Sequence, residues 1–203
     1  MIKDDKINAN FVQWVEKLKK YGCYSERLIQ DLGEQIKNAS FALNTNGGAA
    51  YRGSMIDVVL HHLCKIAYHI NEDAFGIDTN QKYKHQFIKV NTNMLMRVLL
   101  LQHIAKAEMF IPQKQEWKIK NGYPYDFNDE MISPLKCGER SLFICLKYGI
   151  QLAEEEYEAI RIIDKEEEFK NSSFINPLCL IVKMVNYLAS IEMYRMNNKI
   201  KNS

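Results

Sequence analysis

Nine glycines and four prolines are all the punctuation that 203 residues carry, about half of average usage. A sandwich or a barrel needs more turn residues than that. The chain is therefore expected to fold mainly from helices. At 47% apolar residues it has the material for a sizeable core, and its length suits one domain over 1–203. Lys and Arg number 27 against 25 acids, a formal +2. That near balance excludes a binder of nucleic acid through global charge and an acidic disordered tail.

The helical period is legible along most of the chain. Phe11, Trp14, Val15 and Leu18 fall at i, i+3, i+4 and i+7, one face of a helix. Gly22 can stop that helix and Ser25 can cap the next, whose stripe is Leu28, Leu32 and Ile36. Residues 1–38 thus read as N-terminal helices. Asn44 to Ala50, with Gly47-Gly48, reads as a loop. A long helix is expected over about 54–70, with Met55, Val59, His62, Ile66 and Ile70 near one face. Residues 72–90 are polar and read as loop or short helix. A strongly apolar helix is expected over 91–106. Further helices are expected over 138–148 and 154–165, the latter opened by Glu154, Glu155 and Glu156, where the helix dipole favours acids. Pro177 can open a last long helix to about Met196, and residues 197–203 read as a frayed tail.

One stretch departs from this period. Glu116–Ile119 and Tyr123–Phe127 flank Asn121-Gly122, and Asn-Gly is a strong hairpin signal. A small β-hairpin is expected there, with Pro124 confining its strand to an edge. No stretch reaches the roughly 18 apolar residues of a membrane helix. The N-terminus lacks the apolar run of a secretory signal. Five scattered cysteines without a C-x-x-C spacing read as reduced thiols, which points to the cytoplasm. Gly47-Gly48 lacks the following Gly-Lys-Ser/Thr of a phosphate loop. Lys17, Lys19 and Lys20 read as a solvated helix face, and no aromatic-basic ladder for single strands is present.

Five segments, in order over residues 39–190, resemble the HD-domain phosphohydrolase superfamily, and within it the small HD hydrolases common in phages and Gram-positive bacteria. Tyr51-Arg52-Gly53-Ser54 through Leu60-His61-His62 is similar to the segment "YHG…GGLxxH". Leu99-Leu100-Leu101-Gln102-His103-Ile104-Ala105-Lys106 is similar to "LLHDIGK". Lys136-Cys137-Gly138-Glu139-Arg140-Ser141, followed by Leu146-Lys147-Tyr148-Gly149-Ile150, is similar to "GHGEKS…LxKYGL". Glu155 to Ile163 is similar to "EEAxAIRWH", and Leu180 to Ala189 to "LLHVADLLA". The resemblance implies an HD-like bundle of about seven helices with one small hairpin.

The resemblance also implies what has been lost. The family holds one or two divalent metals through a histidine, an adjacent His-Asp pair and a distant aspartate. Here His62 stands at the first position, Gln102-His103 at the pair and Asn186 at the last aspartate. Cys137 and Ile163 stand for accessory histidines, Arg52 for that of "YHG" and Lys183 for that of "HVAD". Two-metal hydrolysis needs carboxylates to neutralise its cations and support a bound hydroxide. Both are absent, so ordinary HD chemistry is expected to be lost.

Lys106 and Arg161 keep the family's cations while Arg52 and Lys183 add two. The altered pocket is therefore expected to hold a small phosphorylated ligand such as a nucleotide directly, without cleaving it. Its expected lining is Arg52, His62, Gln102, His103, Lys106, Cys137, Arg161, Lys183 and Asn186. No cofactor is implied. The phage setting of similar proteins suits sequestration of a nucleotide signal. Two alternatives stay open: a structural or protein-interaction module, partnered by another protein or a second copy, that uses the bundle as scaffold; and a mono-metal phosphohydrolase with His62, His103, Cys137 and Asn186 as unusual ligands.

Overall fold

A computed structural model of the chain describes residues 3–73, 90–131, 133–165 and 176–201. It is mainly helical with one small antiparallel sheet, as the sparse turn residues require. The polar stretch expected over 72–90 lies almost wholly outside the described residues.

Helix α1 spans Asp4–Lys20 and α2 spans Glu26–Asn38. Gly22, at φ 66°, follows α1, and the Ser25 hydroxyl caps α2 by accepting from the Leu28 amide at 3.4 Å. A 3₁₀ turn at Thr45–Gly47 interrupts the loop that follows. Next comes one long rod in three parts: α3 (Ser54–Val58), a π-helical stretch (Val59–Leu63) and α4 (Cys64–Asp73). The π stretch widens the turn by about one residue, and the buried face moves accordingly. Met55 and Val59 are buried before it, as the simple period implies. After it Leu63 and Ala67 are buried, while His62, Ile66 and Ile70 are only half-buried.

Helix α5 (Thr92–Leu101) is capped by Asn91, whose side chain accepts from the Asn93 and Met94 amides. Its residues Val98 to Leu101 are wholly buried. It ends sooner than the expected run to 106, in a turn that leads to α6 (Lys106–Met109). Strand β1 (Phe110–Pro112) pairs antiparallel with β2 (Tyr125–Phe127), Phe110 opposite Phe127.

The expected first strand of the hairpin is therefore misplaced. Residues Glu116–Lys120 form a short helix, α7, which ends at Asn121. Gly122, at φ 84°, is its terminator and not a hairpin turn. Helix stops and hairpin turns draw on the same left-handed glycine, and here the helix stop is realised.

Helix α8 spans Cys137–Lys147, α9 Glu154–Arg161 and α10 Pro177–Lys201. Gly138 lets α8 meet α9, since a Cβ there would lie 2.3 Å from the Ile160 carbonyl oxygen. Residues beyond Arg161 turn out of the helix earlier than the expected 165. In contrast α10 continues past Asn197, where fraying was expected: the Asn197 amide donates to the Thr45 and Asn46 carbonyls, both at 3.0 Å.

One apolar cluster joins all the long helices. It includes Trp14 and Leu18 of α1, Leu28 and Ile36 of α2, Leu99 of α5, Ile144 of α8, Ile160 of α9 and Val182, Val185 and Ala189 of α10. Trp14 Nε1 donates to the Leu100 carbonyl at 3.2 Å and ties α1 to α5. All five cysteines are free thiols. Among the described residues, no helix is long and apolar enough to cross a membrane.

Candidate functional site

The last turn of α5, Val98 to Leu101, is wholly buried in the core, and the chain just beyond it delivers two polar residues, Gln102 and His103, into the interior. Asn186 reaches them from α10. Its Nδ2 donates to the Val182 carbonyl at 2.8 Å and to Gln102 Oε1 at 3.1 Å. A carbonyl only accepts, so the Asn186 atom on Val182 is Nδ2 and the other is Oδ1. It accepts from Gln102 Nε2 at 3.4 Å and lies 3.2 Å from His103 Nε2. Nε2 therefore carries the proton, and Nδ1 bears the lone pair. The Cys137 Sγ, at the start of α8, is 3.9 Å from that Nδ1 and 3.8 Å from the Gln102 carbonyl. The Ser141 hydroxyl donates to the same carbonyl at 3.0 Å and accepts from the Ala105 amide at 3.2 Å.

Lys106 closes this centre from the side. Its Nζ donates to the Phe41 carbonyl at 2.7 Å and stands 3.4 Å above the Phe41 ring. The same ring meets His103 edge-on, at 4.9 Å between centroids. Burial pulls the Lys106 amine down to about 8, against a smaller opposing pull from Cys137 and Asp164. Burial, then the neighbouring Lys106 charge, holds His103 well below its usual value, so the imidazole is neutral. Burial pushes the Cys137 thiol up to about 11. A thiol so protonated is no nucleophile at neutral pH.

These donors do not fit a divalent cation. The Gln102 and Asn186 side-chain amides and His103 Nε2 bond one another, His103 Nδ1 faces only the Cys137 thiol, no carboxylate is among them, and a lysine ammonium sits close enough to depress His103. Among the described residues, no three His, Cys, Asp or Glu side chains are grouped to hold a metal ion. Of the four residues named as an unusual ligand set, His103, Cys137 and Asn186 come together, whereas His62 is engaged elsewhere.

The structure divides the residues named from sequence into four places. Gln102, His103, Lys106, Cys137 and Asn186 form the centre just described. Arg52 is exposed and faces the N-terminal helices: its Nε donates to Asn38 Oδ1 and its guanidinium to Asp4 Oδ1, both at 2.8 Å. His62 Nδ1 lies 2.8 Å from Glu192 of α10, and since a carboxylate only accepts, Nδ1 carries the proton. Arg161 and Lys183 both act on the Cys179 thiol, at the seam of α9 and α10.

A buried carboxylate that sequence reasoning missed lies beside His62. Asp57 accepts from the Tyr51 hydroxyl at 2.6 Å and from Asn10 Nδ2 at 2.9 Å, with Lys6 Nζ at 3.4 Å. Asn10 Oδ1 in turn lies 3.1 Å from His61 Nε2. Burial works to raise the Asp57 carboxyl, but Tyr51, Lys6, Asn10 and His61 together hold it below its usual value. The visible signal was an acid inside the apolar run Met55–Leu60. Asp57, Tyr51, Lys6 and His62 line a cleft of about 400 Å³ with Met193 and Asn197 of α10.

A larger cleft, about 790 Å³, opens where α8 and α9 meet. Leu142, Phe143 and Leu146 of α8 line it, with Leu152, Tyr157 and Arg161 from the α9 side. Phe143 and Tyr157 are each about half exposed. Its size lies inside the range of small-molecule sites. Two aromatic rings and one guanidinium are the chemistry that stacks a flat ring and pairs with an anion. Comparison with protein-family models, curated proteins and solved structures finds no match for this chain.

Proposed function

We propose that this chain is a non-catalytic HD-like protein that works by binding a small phosphorylated ligand, a nucleotide in the first instance, and can sequester it. The observation that carries this reading is the neutral, mutually bonded set of Gln102, His103 and Asn186, which occupies the positions the HD resemblance assigns to metal ligands. A centre whose amides are bonded to one another, with a single imidazole nitrogen over and no carboxylate, offers too few ligands to hold a metal for hydrolysis. The ligand is then assigned to the α8–α9 cleft, where Phe143 and Tyr157 offer faces for a base and Arg161 a partner for phosphate. Arg52, bonded to Asp4 and Asn38, takes no part. The free thiols fit a reducing compartment such as the cytoplasm.

The test is a thermal-shift and calorimetric panel of nucleotides on protein purified without chelators, with elemental analysis of the same sample. The expected result is saturable binding of at least one nucleotide, weakened at least about tenfold by Arg161→Ala, and no stoichiometric metal. Stoichiometric metal with phosphatase activity abolished by His62→Ala would replace this reading with the mono-metal hydrolase.

A second reading is favoured by one observation. Leu146, on the rim of the same cleft, is 79% exposed, which suits an apolar protein partner better than a nucleotide. Absence of binding across the whole panel selects this interaction module.

A further inference from the structure

Helix α10 is buried on one side and open on the other. Val182, Val185 and Ala189 face the core, while Leu180, Met184, Tyr187 and Tyr194 stand out from it at 39%, 41%, 67% and 58% exposure. With half-buried Ile191 they recur at intervals of 4, 3, 4 and 3 residues. That spacing is the seam along which one helix packs on another. The seam is straight, roughly 21 Å long at 1.5 Å per residue, and carries no charged residue. Lys183 and Arg195 flank it on opposite sides and near opposite ends. The Glu192 carboxylate is turned to His62.

We propose that this face pairs with the same face of a second copy of the chain, the two α10 helices running antiparallel about a two-fold axis near Tyr187. The inference stands on α10 alone and does not depend on how the central amide cluster is read. A second copy is the occupant with the matching chemistry. A basic partner finds no counter-charge along the seam and an acidic one only a single cation at each edge, whereas another seam is apolar, uncharged and of equal length. The two-fold also matches sizes: with Tyr187 at the centre, Leu180 of one copy meets Tyr194 of the other, and Met184 meets Ile191. Antiparallel packing opposes the helix dipoles and keeps each Lys183 away from its counterpart. The exposed seam and its Leu188 flank offer of the order of 600 Å² per copy, so the pair covers roughly 1,200 Å², the lower bound for specific interfaces. A reversible dimer follows.

Sedimentation equilibrium of the full chain over a concentration series tests this. The expected result is a reversible shift towards twice the 23.8 kDa chain mass. Tyr187→Lys lies on an exposed surface and leaves the thermal midpoint and circular dichroism unchanged, yet weakens dimerisation at least about tenfold. Leu180→Glu and Tyr194→Lys each weaken it, and the double variant regains it, because each new acid meets a new base across the two-fold. A chain that stays monomeric into the high micromolar range overturns the proposal, as does a dimer indifferent to Tyr187→Lys. Failure of the double variant to recover overturns the antiparallel arrangement.

Discussion

Asn186 and Gln102, 84 positions apart, exchange amide hydrogen bonds at 3.1 and 3.4 Å. Removing one partner leaves the other with buried, unsatisfied polar atoms. Asn186→Ala is therefore expected to cost roughly 1–3 kcal/mol, read from urea unfolding midpoints. Replacing both residues by leucine removes the two amides together and leaves only the His103 Nε2 proton without its partner. The double variant is expected to lose less than the sum of the two single losses. Strict additivity would mean the two amides are not coupled.

A second tie is ionic. Arg97 Nε donates to Glu156 Oε1 at 2.6 Å, and the Glu156 side chain is 3% exposed. The same guanidinium donates to the Tyr21, Gly22 and Gln151 carbonyls, so it pins the α1–α2 turn and the entry to α9 onto α5. Arg97→Leu strands a buried carboxylate and three carbonyls, and is expected to cost about 3–5 kcal/mol. Glu156→Gln keeps an acceptor for the Ala153 amide, which Glu156 accepts at 2.8 Å, and should cost less. Equal midpoints for wild type and Arg97→Leu would contradict the role.

Stability is expected to fall on both sides of neutrality. On the acid side, His103 in the folded chain stays neutral well below the 6.5 of an unfolded histidine. Between those values only the unfolded chain takes up the proton, so stability drops as pH falls below about 6.5. One site gives a slope of at most about 1.4 kcal/mol per pH unit. His61 is lowered in the same direction by burial. His103→Gln should flatten the slope between pH 7 and 5, and an unchanged slope would show that His103 is not responsible.

On the alkaline side the cysteines govern. Burial pushes Cys23, Cys64, Cys145 and Cys179 up to about 12 and Cys137 to about 11. Above about pH 9 the unfolded chain gives up thiol protons that the folded chain keeps, so stability falls. Lys106 works in the opposite sense between about 8 and 10.5, one amine against five thiols. Urea midpoints across this range, with thiol alkylation rates at alkaline pH, check the expectation. Rapid alkylation of the folded chain would refute it.

Gly138 is expected to tolerate no side chain. A Cβ would lie 2.3 Å from the Ile160 carbonyl oxygen, and backbone cannot yield as a flexible side chain does. Gly138→Ala should cost at least about 1–3 kcal/mol and separate α8 from α9, enlarging the cleft between them. Thermal unfolding reads the first effect. A neutral substitution would mean that the two helices slide apart freely.

What could be read from the sequence was local. Ser25, Asn91 and Pro177 begin helices by their own chemistry, and the structure starts α2, α5 and α10 beside them. Trp14 and Leu18 follow the plain helical period and are buried. The errors arise where distant or subtle geometry intervenes. The π stretch at Val59–Leu63 shifts the buried face by one residue, so His62 turns towards Glu192 while Leu63 takes the core position. Gly122 serves a helix end that looks like a hairpin turn, and β2 finds its partner in Phe110–Pro112.

The central cluster was half legible. Gln102 and His103 are adjacent in the chain, whereas Asn186 and Cys137 come from distant helices and were placed with them only by the HD resemblance. Arg52 was not legible, because a long flexible side chain in a loop chooses its partner by what is near, and Asp4 and Asn38 are near. Asp57 went unnoticed because its partners come from α1 and the preceding loop, 47 and six positions away.

The place of α10 in the chain has a consequence for biosynthesis. This helix packs against the π stretch, α4, α5 and α9, yet it is the last of them to leave the ribosome. Until residues 177–201 are made, the apolar end of α5 has no lid, and the amides of Gln102 have no Asn186 to bond. The earlier helices can pack on one another, but they cannot complete this face of the core without α10. The part of the core between the π stretch, α4, α5 and α9 is closed only when this helix is laid on it.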